Sequence, residues 1–500
     1  MNNQLRRLGA GLLACYLALI TMVSYIQVLH ADALNTHPLN SRGVVRDFDQ
    51  PRGQIVSADG VVLAQTEPSP PGDQFQYQRR YPEGDLFGHI TGYLNFNFGA
   101  TGVEASYNDK LSGHTVDQSV ESLRALFGDS DPAGDVTLTL RKDLQQSARD
   151  LLGRQKGSIV ALDPRDGSIL ALWSFPAFDP NPLASHDEAA AKAARDALLP
   201  NTVDTSLLAK SYQSRFFPGS TFKIVTASVG VESGRVTPDD PSFPTGSAYD
   251  PPDGNPIQNF GGEVCGGTLF TILAISCNSA FAEMGAERIG KDTMVNGAQA
   301  FGFNDKPPFD LPGAARSVFP ADSVGRSKAF LGQASIGQFD TAATPLEMAM
   351  VAGAIGENGV MMTPHVMADV RDKTGNVTST YKPQIWKNPV SAATATTMRE
   401  AMVGVVQHGT GTAARISGVE VGGKTGTAQL GTTPASSHAW FVCYAGPSGV
   451  PATVAVAVIV EGEPGASETT GGTVAAPMAR QLVEQILAGQ ADGSIPSPGG

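Results

Sequence analysis

Between Leu8 and Leu29 the chain runs for 22 residues without a charge, and no other feature restricts its folding so strongly. As a helix this run crosses roughly 30 Å, the thickness of a bilayer's hydrocarbon core. Arg6 and Arg7 stand directly before it, and arginines in that place stay on the cytoplasmic side. A cleavable signal peptide has a shorter apolar stretch, about 7–15 residues, although Ala31-Asp32-Ala33 offers a small-residue cleavage pattern. Cys15 lies inside the run and does not end it, which disfavours a lipid anchor there. The reading is an uncleaved anchor: a cytoplasmic tail over 1–7, a transmembrane segment over 8–29, and everything after residue 30 outside the cell membrane.

The remaining chain is large, acidic and rich in loops. With 500 residues it exceeds a single small module. Its 48 acidic against 35 basic side chains leave a net charge of −13, which argues against nucleic acid as a partner, since a phosphate backbone selects a basic surface. Apolar residues make up 41%, enough for a sizeable core. Of the four cysteines, Cys265, Cys277 and Cys443 fall outside the membrane segment. A disulfide persists in that compartment, and Cys265 with Cys277 is the pair nearest in sequence. One bridge and three reduced thiols both remain open. Cys443, in the apolar run Ala439 to Gly446, reads as a buried free thiol. No cysteine or histidine spacing suggests zinc, and no cofactor is implied.

Residues 30–134 are rich in Gly, Pro, Asp, Asn and Gln, with short strands at 53–56 and 61–64 joined by the turn Ala58-Asp59-Gly60. The stretch Asp129-Ser130-Asp131-Pro132-Ala133-Gly134 is a composition break and marks a domain boundary. Beyond it, 136–140 reads as a strand and 141–153 as a helix. Strands at 158–162 and 168–173 flank a Pro- and Asp-Gly-containing turn. Three more strands are expected at 419–429, 438–445 and 452–461, followed by a helix over 473–488. A mostly helical middle separates the two strand groups. That arrangement is α+β, with an antiparallel sheet built from the first and last parts of a 135–490 domain and a flexible tail over 491–500.

One helix carries chemistry. Ser220 to Val231 is apolar nearly all round, opened by Pro218-Gly219 and stopped by Gly234. Lys223 is anomalous within it, because an unpaired buried ammonium is costly and tends to lose its proton. Ser220 lies three residues earlier on the same face. A hydroxyl beside a lysine able to become neutral is a serine nucleophile with its general base. The bland alternative is a lysine whose head reaches water, and Ser379-Thr380-Tyr381-Lys382 repeats the spacing in a polar segment.

Two companion motifs sharpen the reading. Ser-x-Asn occurs at Ser276-Cys277-Asn278 and at Ser106-Tyr107-Asn108; Lys-Thr-Gly occurs at Lys424-Thr425-Gly426 and at Lys373-Thr374-Gly375. Ser106 precedes the nucleophile in the other domain, and Lys373 sits in a polar turn. Lys424 follows Val421-Gly422-Gly423 on an expected strand, where the glycines would let a substrate backbone approach closely. Ser220, Ser276 and Lys424 thus occur in a sensible order, each in a suitable element.

With those motifs in place the chain resembles the class B penicillin-binding proteins, and its length and wording are similar to the actinobacterial penicillin-binding protein A group. Pro51-Arg52-Gly53-Gln54-Ile55, Gly102-Val103-Glu104 and Phe178-Asp179-Pro180-Asn181 resemble that family's further signatures. The resemblance implies a penicillin-binding transpeptidase fold with a helical subdomain, set on an elongated N-terminal pedestal of the dimerisation type. It implies that Ser220 attacks between the last two D-alanines of a peptidoglycan stem peptide, that Lys223 takes its proton, and that Ser276 relays the proton to the departing D-alanine. Backbone N–H groups of Ser220 and Thr427 would form the oxyanion hole. Asn278 would bond the substrate amide, Lys424, Thr425 and Thr427 would hold the terminal carboxylate, and Gly426 would be a further substrate-binding residue. β-Lactams would acylate the same serine. A disulfide at Cys277 would tie the Ser276 loop to Cys265. A membrane glycosyltransferase is the partner the resemblance implies; the roughly 100 residues before the catalytic part are too few for a separate glycosyltransferase, which argues against a bifunctional enzyme.

Each role has a plainer alternative. Thr425 and Thr427 suit any strand, and Ser276 with Asn278 suits a cap or turn. His408, His438 and Trp440 read as core or rim residues. At the level of function, a D,D-carboxypeptidase or β-lactamase differs only in the acyl acceptor. A β-lactam sensor would call for a cytoplasmic signalling part, and an inactive scaffold would tolerate loss of Ser220 or Lys223.

Overall fold

The computed structural model describes residues 2–25, 48–113, 133–199, 206–431, 436–462 and 470–496. Helix α1 (Asn2–Ser24) opens the chain. Its leucines are bare, Leu12 and Leu13 each 65% exposed, and Arg6–Ser24 is long and apolar enough to cross a membrane. An apolar helix that no other element covers among the described residues is a candidate for a lipid environment. The last expected span residues, 26–29, lie outside the described residues.

Three strands follow: β1 (Ile55–Val56), β2 (Val62–Pro68) and β3 (Tyr77–Arg80). β1 and β2 form the expected hairpin, with Gly60 in the left-handed region at φ 80. Strand β4 (Asp135–Leu138) leads into α2 (Lys142–Leu152), then β5 (Gly157–Leu162) and β6 (Ile169–Phe175). The middle contains α3 (Lys223–Glu232), α4 (Asn278–Glu283) and α5 (Pro345–Gly356). After β7 (Met367–Arg371), β8 (Val377–Thr380) and α6 (Ala392–His408) come β9 (Glu420–Gln429), β10 (Ser437–Gly446), β11 (Val454–Val460) and α7 (Ala476–Asp492).

The central sheet has the order β9-β10-β11-β5-β6, antiparallel throughout. Helices α5 and α7 pack on β10 and β11, and α5 also reaches β5. This explains why β11 reads as unbroken Val454-Ala455-Val456-Ala457-Val458-Ile459-Val460 without alternation: every residue of it is buried. β9 is an edge strand, so one of its sides remains open.

A second sheet, ordered β8-β7-β4-β1-β2-β3, takes strands from both sides of residue 134. β4 runs parallel to β1 and antiparallel to β7, so the N-terminal part is joined to the part beyond residue 134 by main-chain bonding. Beneath this sheet, Glu104 accepts from Arg52 at 2.7 Å and from Arg79 at 2.6 Å, all three side chains buried. Two of the N-terminal signatures therefore meet as one ion cluster. The chain end expected to be flexible from 491 is held as far as the structure describes it: Ile495 is buried, its N–H donates to the Gly489 carbonyl, and Arg141 donates to the Ser494 carbonyl at 2.6 Å. Its Cβ-branched side chain fills the gap beside Gly489.

Candidate active site

Ser220 stands in a 3₁₀ turn, Gly219–Phe222, that feeds α3. Gly219 has φ 52, and a Cβ there would come within 3.1 Å of Ala428 and the Thr427 carbonyl. Glycine alone therefore lets the turn lie against β9. Gly426 makes the same allowance from the strand, where a Cβ would stand 2.9 Å from the Pro218 oxygen. Trp440 Nε1 donates to the Phe217 carbonyl at 3.0 Å and Thr221 Oγ1 to that of Pro218 at 2.7 Å. The Ser220 turn is thus fixed by packing and hydrogen bonds, with Ser220 itself half-buried at the mouth.

Lys223 is wholly buried. Its Nζ donates to the Ser276 carbonyl at 2.7 Å and to Asn278 Oδ1 at 2.6 Å, and lies 3.3 Å from Ser276 Oγ. Burial holds its ammonium well below the ordinary lysine range, and the charge on Lys424 pushes the same way. A neutral amine has two N–H groups and one lone pair. The two carbonyl oxygens take the N–H groups, which leaves the lone pair for a hydroxyl proton. Lys424, equally buried, donates to Ser276 Oγ at 2.8 Å and to the Thr425 carbonyl at 2.9 Å. Burial lowers it to about 7. Ser276 Oγ therefore lies between the two lysines.

Ser276 adopts φ 62, a left-handed conformation unusual for a non-glycine residue. The short helix Leu269–Ala274 ends just before it. Cys277 is bridged to Cys265, which settles the alternative left open by the spacing. Ser279 N–H donates to Asn259 Oδ1 at 2.8 Å, and Asn278 Nδ2 to the Gln258 carbonyl at 3.1 Å. The loop over 256–265 thus braces the second motif from outside it.

Thr425, Thr427 and Gln429, spaced two apart on β9, line a cleft of about 900 Å³ with Ser220, Ser276 and Asn278. All three motifs meet there. The repeats of the motifs do not: Lys373 lies in the turn between β7 and β8, where Asp372 accepts from Thr374. Ser106 and Asn108 belong to two short helices of the N-terminal part, and Ser379 is on β8. Gly422 and Gly423 are not among the residues that line the cleft. A Cβ at Gly422 would meet the Tyr444 ring at 2.3 Å and one at Gly423 the Phe441 ring at 2.6 Å, so these glycines make room for core aromatics. Gly426, expected among the substrate-binding residues, is placed under the Ser220 turn.

His438 is buried edge-on to Phe216 and lowered to about 4 by burial, Trp440 is wholly buried, and His408 is exposed at the end of α6. Thr410, Thr412, Thr470 and Thr473 also line the cleft, and motif reading passed over them. The only trace of the first two was a Gly/Thr tract, Gly409-Thr410-Gly411-Thr412, at the end of α6.

Comparison with known proteins agrees with this geometry. A family model described as the penicillin binding protein transpeptidase domain matches residues 157–484, and one described as the penicillin binding protein A dimerisation domain matches 52–136. The peptidoglycan D,D-transpeptidase PbpA of Mycolicibacterium smegmatis is 34% identical over 97% of this chain and 99% of its own. PbpA of Mycobacterium tuberculosis is 33% identical over 98% of this chain and 100% of its own. The solved structure of M. tuberculosis penicillin-binding protein A as an imipenem acyl-enzyme complex superposes with a TM-score of 0.77 at 30% identity, covering 88% of this chain and 99% of that one. A D,D-transpeptidase domain from Eggerthella lenta gives 0.75 at 33% identity, covering 89% and 100%.

Proposed function

This chain belongs to the penicillin-binding protein transpeptidases, and from that membership and the Ser220 cluster we propose how it cross-links peptidoglycan as a D,D-transpeptidase. The observation that carries the reading is the Lys223–Ser276–Lys424 network at the base of the cleft that Ser220 lines. A stem peptide lies extended along the open edge of β9, as peptides add to exposed strand edges. Its terminal carboxylate meets Lys424, Thr425 and Thr427, and its amide meets Asn278. Ser220 Oγ attacks the carbonyl carbon of the penultimate D-alanine while Lys223 accepts the hydroxyl proton, a step worth roughly 10²–10⁴-fold. Backbone N–H groups of Ser220 and Thr427 stabilise the oxyanion. The C–N bond breaks, and Ser276 passes a proton to the leaving D-alanine amine. An amine of a second stem peptide then attacks the Ser220 ester, forming the cross-link and restoring the hydroxyl.

A β-lactam takes the same route but stops at the acyl-enzyme, as in the imipenem complex of the M. tuberculosis protein. The arrangement in the cell is part of the same proposal. Residues 1–7 are cytoplasmic, 8–29 are a single uncleaved span, 30–134 is the pedestal, and 135–490 is the catalytic domain outside the membrane. A membrane glycosyltransferase supplies the strands to be cross-linked.

The test is the intact mass of the detergent-solubilised chain after incubation with benzylpenicillin, beside its Ser220→Ala twin. One persistent adduct on the wild type only is the expected result. An adduct that vanishes within seconds would indicate β-lactamase behaviour, and none at all would favour a scaffold. Lys223→Ala should acylate about 10²–10⁴-fold more slowly.

A further inference from the structure

Thr410 lies outside all three motifs, yet its hydroxyl is 2.6 Å from that of Thr425, and both residues line the cleft. Its main chain is fixed on two sides. Thr410 N–H donates to the Ala274 carbonyl at 3.1 Å, two residues before Ser276. Gly472 packs flat against it, since a Cβ there would stand 2.6 Å from the Thr410 oxygen. Gly409 is equally constrained, 2.3 Å separating its Cβ position from the Ala274 oxygen. Thr410 is therefore held between the helix that leads to the second motif and the strand that carries the third.

The direction of the 2.6 Å bond matters. One of the two hydroxyls must donate to the other, and among the described residues neither side-chain oxygen has a further partner. A carboxylate only accepts. Were Thr425 the donor, it would turn its lone pairs toward the ligand and repel it. With Thr410 as donor, the Thr425 proton is free to point at the carboxylate. We infer that Thr410 is a positioning residue for carboxylate recognition: its hydroxyl fixes the orientation of the Thr425 O–H. The inference rests on the assignment of Thr425 to the terminal carboxylate made above.

The experiment compares kcat/KM for a D-alanyl thioester bearing a free terminal carboxylate with that for its methyl ester, both on one preparation of the full chain. The ratio of the two is insensitive to the folded fraction, so loss of protein does not mimic the effect. Thr410→Val, with Thr410→Ala alongside, should lower the carboxylate preference about 10- to 100-fold, the usual range for a hydrogen bond to a charged group. Thr410→Ser should restore it to within about twofold of wild type. In a Thr425→Val background, Thr410→Val should lower the preference no further. A preference kept by Thr410→Val and Thr410→Ala while Thr425→Val loses it would overturn the inference. So would an undiminished effect in the double variant, which would mean an independent contact. If Thr425→Val keeps the preference, the carboxylate assignment itself fails and the relay with it.

Discussion

Glu347 offers the sharpest stability test in the molecule. It lies in the first turn of α5, where Thr344 Oγ1 accepts from its N–H at 3.1 Å. Its side chain is buried, and neither carboxylate oxygen has a hydrogen-bond partner among the described residues. Its Oε1 and the Trp386 ring each stand 2.5 Å from the point that a Cβ on Gly302 would occupy. Burial raises the carboxyl from 4.5 to about 8; Lys387 pulls it down, but Asp305, which Lys387 holds at 2.5 Å, pushes back. The folded chain thus keeps a proton that the unfolded chain has lost. With a raised folded pKa, the stability is fully present below 4.5 and is lost as the pH rises through 8. At roughly 1.4 kcal/mol per pH unit, that window amounts to roughly 5 kcal/mol as an upper bound. Glu347→Gln keeps the shape and removes the titration. Urea unfolding at pH 5, 6, 7 and 8, followed by tryptophan fluorescence, should show the variant gaining on the wild type by roughly 4 kcal/mol across the series. A difference that stays constant with pH would refute the argument, because it would mean an ionised and paired carboxylate.

Acylation should be bell-shaped in pH, since it needs Lys223 neutral and Lys424 charged. The second-order rate with benzylpenicillin should fall above about 7, the position to which burial lowers Lys424; a rate level from pH 6 to 9 would contradict this. Glu104→Ala would leave the buried guanidiniums of Arg52 and Arg79 without a counter-charge. It should cost about 3–5 kcal/mol by denaturant unfolding, and a loss below about 1 kcal/mol would show that the cluster is not energetically coupled. Replacing Cys265 and Cys277 together by serine opens a loop with a sequence separation of 12. The expected loss is about 2–3 kcal/mol, read as a lower urea midpoint; an unchanged midpoint would mean that the loop is closed by other contacts.

What could be read from the sequence was local. Ser220 and Lys223 are separated by less than one helical turn, and a lysine in an otherwise apolar helix is anomalous without any knowledge of its surroundings. The central strands were legible as apolar runs, and their order along the chain suggested one sheet. Long-range pairing was not legible. Nothing near β4 signals that it joins β1 on one side and β7 on the other. The reading of Gly422 and Gly423 failed for a related reason. The glycines had two possible occupants for the space they leave, a substrate or a neighbouring side chain, and only the register that sets Gly422 opposite Tyr444 decides it. Thr410 was invisible because its importance lies in a contact with Thr425 and in no pattern of its own.

The second motif shows where sequence and structure divide the information. Ser276-Cys277-Asn278 identifies the residues, but their use depends on Ser276 holding a left-handed backbone between two buried lysines. A non-glycine residue in that conformation costs of order 1–3 kcal/mol and persists only where its surroundings over-determine it. Here they do so through distant chain: Cys265 bonds to Cys277, Asn259 receives the Ser279 N–H, and the Gln258 carbonyl receives Asn278. Lys223 completes the enclosure by donating to the Ser276 carbonyl. The proposed general base therefore also fixes the backbone of the residue proposed to relay its proton. Removing the Lys223 amine would disturb both functions at once, so the rate lost in Lys223→Ala measures their sum.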